Sequence, residues 1–246
     1  MSYSNTNKFN SSYSEKKVNR VLPFRKCFPS TLVPVGRSYA GIGARNAPDS
    51  IKPIAIKLGY YLALEGFVLR SGGAEGMDDF FEAGADLAMM VSSTAQKQIF
   101  LPEEGSWGNP SVWHNPSEKA QETVEIYHKY GKNMKGRSRN LMARNAHQVL
   151  GADLNDPAKF IICWTKDGCL SDETRSYDKL SGTGGTGQAI SIASMNKIPV
   201  FNLQNKEHLD KIMKKLAVWE QKHGPCPDVN LLKNAKPKSE ARTVKI

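Results

Sequence analysis

The chain is predicted to be an α/β protein: a doubly wound, mainly parallel sheet with flanking helices, built as a single domain with basic N- and C-terminal arms. Three observations predict it. Short apolar segments alternate with segments of helical spacing, the pattern of parallel strands joined by crossover helices. Three glycine-rich turns, Gly41-Ile42-Gly43-Ala44-Arg45, Ser71-Gly72-Gly73-Ala74-Glu75-Gly76 and Gly182-Thr183-Gly184-Gly185-Thr186-Gly187, stand where strands should end. The length of 246 residues, with a hydrophobic fraction of 39%, fits one such domain carrying polar extensions.

Each element has its own signal. Residues 1–32, rich in Ser, Asn and Lys, read as a mobile basic arm with order expected near 22–28. The domain proper spans 33–205. Tyr39-Ala40-Gly41-Ile42-Gly43 is a short buried strand running into the first turn. Pro48-Asp49-Ser50 starts a helix on which Ile51, Ile54, Ala55, Leu58 and Leu62 recur at helical spacing, and Gly66 stops it. Phe67-Val68-Leu69-Arg70 feeds the second turn, residues 78–90 form the next helix, and 98–102 a third strand.

Residues 103–117 are a loop holding Trp107, Trp113 and His114. Ser117 caps a helix that runs to about 130, and a second helix over 138–150 places Met142, Ala146, Val149 and Leu150 on one face. Residues 159–164 are continuously apolar after Lys159, as buried parallel strands are. A polar excursion over 165–181 leads to the third turn, then a helix at 188–196 and a strand at 198–203. Residues 206–232 hold a packing helix marked by Leu209, Ile212, Met213 and Leu216, and 233–246 form a basic tail.

The net charge of +10 lies in the arms. Residues 1–37 carry seven bases against Glu15, and 233–246 carry five bases against Glu240, which leaves 38–232 formally neutral. Basic arms suit polyanion binding without sequence preference, and they equally suit simple solubilisation. Four scattered cysteines with no C-x-x-C pair argue against a zinc or disulfide framework and point to reduced thiols in a cytoplasmic protein. No apolar run approaches the ~20 residues that span a membrane, and no signal-peptide stretch opens the chain. No metal and no cofactor is expected.

In an open parallel sheet, ligands bind in the crevice outside the carboxyl ends of the strands, where glycines let backbone amides approach a phosphate. The candidate phosphate ligands are therefore Gly41, Gly43, Ala44, Arg45, Ser71, Gly72, Gly73, Ala74, Gly182, Thr183, Gly184, Gly185 and Thr186. Arg137, Arg139, Asn140 and Arg144 join them, because bases in a helix's first turn oppose its dipole unless an anion is near. The alternatives are steric turn glycines and a charged outer helix face. Asp78 fits a ribose contact or an ordinary first-turn carboxylate. Asp78 and Glu82, one helical turn apart, are the candidate catalytic pair. Trp107 and Trp113 suit base stacking or burial under their own loop. Trp164 is read as lining the crevice and Trp219 as packing the C-terminal helix.

Ser71-Gly72-Gly73-Ala74-Glu75-Gly76-Met77-Asp78 resembles the signature of the DNA-processing protein A family, and Gly136-Arg137-Ser138-Arg139-Asn140 is similar to its arginine-rich segment. Residues 182–188 with Ile198-Pro199-Val200 resemble the wider group that includes the Lonely guy phosphoribohydrolases. The resemblance covers about 38–205 and implies a Rossmann-like fold. It implies binding of single-stranded nucleic acid or a nucleotide at the strand ends, by a catalytically inactive binder or by an N-glycosidase acting on nucleoside monophosphates. A homo-oligomer is a further implication. The chain departs from both patterns: Glu82 stands where the first family has His, and Ser181 and Ala189 stand where the second has Pro and its catalytic Glu.

Overall fold

The structure, a computed structural model, describes residues 37–178 and 180–234. The arm at 1–32, with its expected order near 22–28, and almost all of the tail at 233–246 lie outside the described residues. Five strands, β1 (Ser38–Gly43), β2 (Val68–Ser71), β3 (Lys97–Ile99), β4 (Ile161–Trp164) and β5 (Val200–Asn202), form one sheet in the order β3-β2-β1-β4-β5. All four pairings are parallel. β1 is the central strand: Ala40 is in register with Arg70 on one side and Ile161 on the other.

Among the described residues seven helices accompany the sheet: α1 (Lys52–Leu64), α2 (Met77–Val91), α3 (Glu118–Tyr127), α4 (Gly136–Leu150), α5 (Thr186–Met195), α6 (Lys206–His223) and α7 (Leu231–Asn234). Alternation along β1 divides the core. Tyr39 faces a cluster built from α1, α2 and α6, with Trp219 buried in it. Ala40 and Ile42 face a second cluster built from α3, α4 and α5. β4 divides the same way, sending Ile162 and Trp164 to the first and Ile161 and Cys163 to the second. Continuous apolar sequence is what a strand covered on both faces requires. The Rossmann-like, doubly wound α/β architecture read from the sequence is what the chain adopts.

Glycines bring α1 and α2 backbone to backbone. A Cβ at Gly84 would sit 2.0 Å from the Ile56 carbonyl oxygen, and one at Gly59 would sit 2.3 Å from that of Phe81. Gly41 has a related role. A Cβ there would meet Leu69 and Phe81 at 2.7 Å, so this glycine sits inside β1 and admits the side chains that pack on it.

Several boundaries differ from the sequence expectation for local reasons. α1 begins at Lys52, with proline in its first turn, because the 48–51 segment forms a separate turn. β3 is Lys97–Ile99 instead of 98–102: the buried Lys97 joins the strand because Glu82, at 3.0 Å, and Asp86 receive its ammonium. α4 and α5 each begin two residues early, and α3 stops at Tyr127 before a 3₁₀ turn at Gly131–Asn133. Among the described residues no helix is long and apolar enough to cross a membrane.

Candidate functional site

In this strand order the chain leaves β1 toward β2 and β3, then returns on its other side at β4. The carboxyl ends of β1 and β4 are therefore the topological switch point, where open α/β sheets hold their ligands. A cleft of about 350 Å³ opens there. Gly43, Ala44, Arg45 and Asn46 form one wall, Ala74 and Asp78 the floor, and 183–186 the opposite rim. The face of α4 that carries Leu141, Arg144, Asn145 and Gln148 closes the side.

Helix spacing explains the α4 wall. Positions 141, 144, 145 and 148 follow the i, i+3, i+4, i+7 pattern of one helical face, so placing Arg144 at the cleft brings the other three with it. Two side-chain bonds fix α4 against the glycine turn before α5. Asn145 Nδ2 donates to the Gly185 carbonyl at 3.1 Å, and Gln188 Nε2 donates to the Met142 carbonyl at 3.1 Å. Gly184 adopts φ +67° with open space where a Cβ would be, which keeps the rim low. α5 starts at Thr186, in the cleft lining, with no side-chain cap among the described residues; within its first turn the Gly187 amide bonds to the Gly184 carbonyl at 3.2 Å.

Two arginines and one carboxylate are the charged groups of the lining. Arg45 is exposed and forms no ion pair with another described residue. Arg144 is buried, its Nη2 3.4 Å from Asp78 Oδ2. Burial lowers the Arg144 pKa, Asp78 opposes that shift, and Arg45 reinforces it. Burial raises Asp78 to about 6, against the pull of Arg144 and of amide hydrogen bonds from Ala74 and Gly43. Those two amides belong to the turns read as phosphate cradles. Here they hold an internal carboxylate.

The second glycine turn is largely satisfied by the protein itself. Ser71 Oγ donates to the Gly41 carbonyl at 2.6 Å, tying β2 to β1. With the Gln148 amide turned so that its oxygen faces the turn, it accepts from the Gly72 amide at 3.0 Å and from the Arg144 guanidinium. Gly72 has no room for a Cβ because Arg144 and Gln148 fill the space, and Gly73, at φ +63°, packs under Asn109 and Ile99. These residues build the floor beneath Ala74 and Asp78.

The structure separates the remaining candidates from the cleft. Glu82 is buried beneath it, paired with Lys97 and receiving Asn109 Nδ2 at 3.2 Å, so it does not share the cleft with Asp78. Arg139 donates to Gln121, the Gly131 carbonyl and Glu125, and Asn140 accepts from Gln121 Nε2 at 2.7 Å; both lock α4 onto α3. Arg137 pairs with Glu103 outside the lining. Gly182 sits behind the rim, where a Cβ would lie 2.3 Å from the Asp178 carbonyl oxygen. Gly41 lies in β1. Asn46, Leu141, Met142, Asn145 and Gln148 are the lining residues that glycine-based reading passes over.

The aromatic residues divide similarly. Trp107 is partly exposed beside the cleft, with the Arg137 and Arg144 guanidinium carbons 5.4 and 5.9 Å from its ring centre. It holds φ +56°, a left-handed conformation that costs a non-glycine residue about 1–2 kcal/mol. Trp113 packs on Phe100 at 5.8 Å beside a smaller cavity of about 210 Å³. Trp164 is buried, donates to Gln204, and takes no part in the cleft. Among the described residues no cluster of His, Cys, Asp and Glu could hold a metal ion.

Fold and cleft together define a doubly wound α/β protein with an arginine-lined crevice at its switch point. No family model and no curated protein matches the chain. The chain is similar to a solved structure of DNA processing protein A from Helicobacter pylori, described there for its single-stranded DNA binding mode. The TM-score is 0.44 and the identity 16%, over 85% of this chain and 86% of that one.

Proposed function

We propose that the switch-point cleft binds the phosphate of a nucleotide unit, and that single-stranded nucleic acid is its ligand. One observation carries the reading: Arg45, Arg144 and the uncapped start of α5 converge on a single cleft. An exposed arginine with no ion pair to another described residue, a buried one held by Asp78, and the positive end of a helix dipole suit an anion. The cleft's size is at the lower end of the range for small-molecule sites, enough for one nucleotide unit. Its open side lets a strand continue past it. The exposed Trp107 ring stands where a base of that strand can stack.

The test is binding of a fluorescent oligothymidylate by the full chain across a salt series. Affinity that falls as salt rises, and that Arg45→Ala reduces, is the expected result. Equal, salt-insensitive binding by both proteins overturns the reading. A chain that binds a free nucleotide and not the oligonucleotide is a sensor or sequestering protein of the same cleft.

Asp78 supports a second reading, N-glycosidic hydrolysis of a nucleotide. It is the lining carboxylate, and a pKa of about 6 suits a group that gives or takes a proton near neutrality. Incubation with a nucleotide panel and detection of free base decides it, with Asp78→Asn as the control that abolishes turnover.

A further inference from the structure

We propose that Tyr130 and Tyr177 form a base-stacking platform for the strand whose phosphate occupies the cleft, an inference that rests on the reading above. The two rings meet edge to face, with centres 6.2 Å apart at 84°. Tyr130 is 52% exposed and Tyr177 40% exposed, so both rings keep accessible surface while packed on each other. Lys129 Nζ lies 5.5 Å from one ring centre and 5.7 Å from the other. Arg175 stacks on Tyr177 at 4.6 Å. Exposed rings backed by cations are the surface that binds a single strand without reading its sequence: bases stack on the rings while the cations meet phosphates.

The platform is anchored and adjoins the cleft. Arg175 is buried and donates to Ser191 Oγ at 3.0 Å and to the Tyr127 carbonyl at 2.5 Å, so its guanidinium is a fixed seat for the Tyr177 ring. Ser176, next to Tyr177, exchanges two bonds with the rim residue Thr183: its amide donates to Thr183 Oγ1, and its carbonyl accepts from the Thr183 amide, both at 3.0 Å. Arg175 also packs against Gly187 in the first turn of α5. The segment carrying the platform is thus bonded directly to the segment that forms the rim.

Stacking selects the partner. The exposed ring faces suit bases, and Lys129, whose ammonium stands beside both rings, is placed to meet a phosphate of the same strand. Arg175, buried and bonded to Ser191 and the Tyr127 carbonyl, holds the Tyr177 ring in place.

The experiment measures, for the full chain, the affinity for an oligothymidylate of about a dozen nucleotides and, separately, for thymidine monophosphate. Tyr130→Ala and Tyr177→Ala are each expected to weaken the oligonucleotide roughly 5- to 150-fold, the range set by removal of one stacked base. The mononucleotide affinity is expected to stay at the native value. Tyr177→Phe keeps the ring and is expected to bind like the native chain. Oligonucleotide affinity unchanged in both alanine variants overturns the platform and leaves the cleft standing. Weakened binding in the tyrosine variants with none in Arg45→Ala overturns the cleft and leaves the platform. A native chain that binds no oligonucleotide at low salt overturns both.

Discussion

The Asp78 carboxylate and the Arg144 guanidinium lie 3.4 Å apart, both buried, where the floor of the switch-point cleft meets its α4 side. A buried pair of this kind fixes geometry more than it adds stability, because desolvation offsets much of the attraction. Its effect on function is a balance of charge. Asp78 draws on the same guanidinium that a phosphate would need, so if the cleft binds an anion as proposed, protonation of one side chain is expected to tune the anion affinity of its neighbour.

A pH dependence follows. Asp78 titrates near 6 in the folded chain, against about 4 in an unfolded one. Its folded-state value is raised, so its contribution to stability is fully present below pH ~4 and is lost as pH rises through about 6, a difference of ~3 kcal/mol. Binding should move the same way: lowering pH from 7.5 to 5 neutralises Asp78 and frees Arg144, tightening oligonucleotide binding several-fold. A phosphodiester probe keeps its own charge over that range. Asp78→Asn should bind at pH 7.5 as the native chain binds at pH 5, with a flat profile. A native profile that is itself flat rejects the coupling.

The two arginines should respond differently to truncation. Arg45 is exposed and forms no ion pair with another described residue, so Arg45→Ala is expected to lower oligonucleotide affinity about tenfold while the melting temperature stays within about a degree. Arg144→Ala removes the cation beside a buried carboxylate and empties the space that Gly72 and Gln148 share with it. That variant should lose about 3–5 kcal/mol of stability, read by denaturant unfolding. Similar destabilisation in both would show that Arg45 is part of the framework.

Glu82 illustrates where sequence reasoning reached and where it stopped. The parallel sheet, the two-sided core and the meeting of the first and third glycine turns at one rim are legible, because apolar runs and glycine placement record them, whereas the strand order is not written in local sequence. Spacing also puts Asp78 and Glu82 one turn apart on α2. It does not record that Lys97, a lysine in a strand, is buried between Glu82 and Asp86, since a charged residue in that position reads as a strand edge. Nor does a glycine-rich turn disclose that its amides are already taken, as those of Gly72, Ala74 and Gly43 are. The α4 lining was within reach of helical periodicity once Arg144 was placed.

That buried lysine yields a stability prediction. Lys97→Met keeps the side chain's length and removes the cation from between two buried carboxylates. The expected cost is about 3–5 kcal/mol, read by denaturant unfolding. A cost below about 1.5 kcal/mol, as for a volume-conserving swap, would mean that packing, and not charge, is what Lys97 supplies.

The N-terminal arm is tested by its counterions. Residues 1–36 carry six bases and Glu15, while the domain from 38 to 232 is formally neutral, so the arm supplies half of the net positive charge that attracts a polyanion and the C-terminal tail most of the rest. For single strands the slope of log affinity against log salt changes by about 0.7 for each phosphate that the protein no longer neutralises. Removing residues 1–36 leaves Arg37, whose carbonyl accepts from the Val68 amide at 2.9 Å, so the truncated chain keeps the edge of β1 intact. The truncated chain should show a flatter salt slope with the Arg45→Ala effect undiminished, because cleft and arm then act as separate sites. An unchanged slope assigns the arm to solubility alone, and disappearance of the Arg45 effect makes the arm part of the cleft's own binding surface.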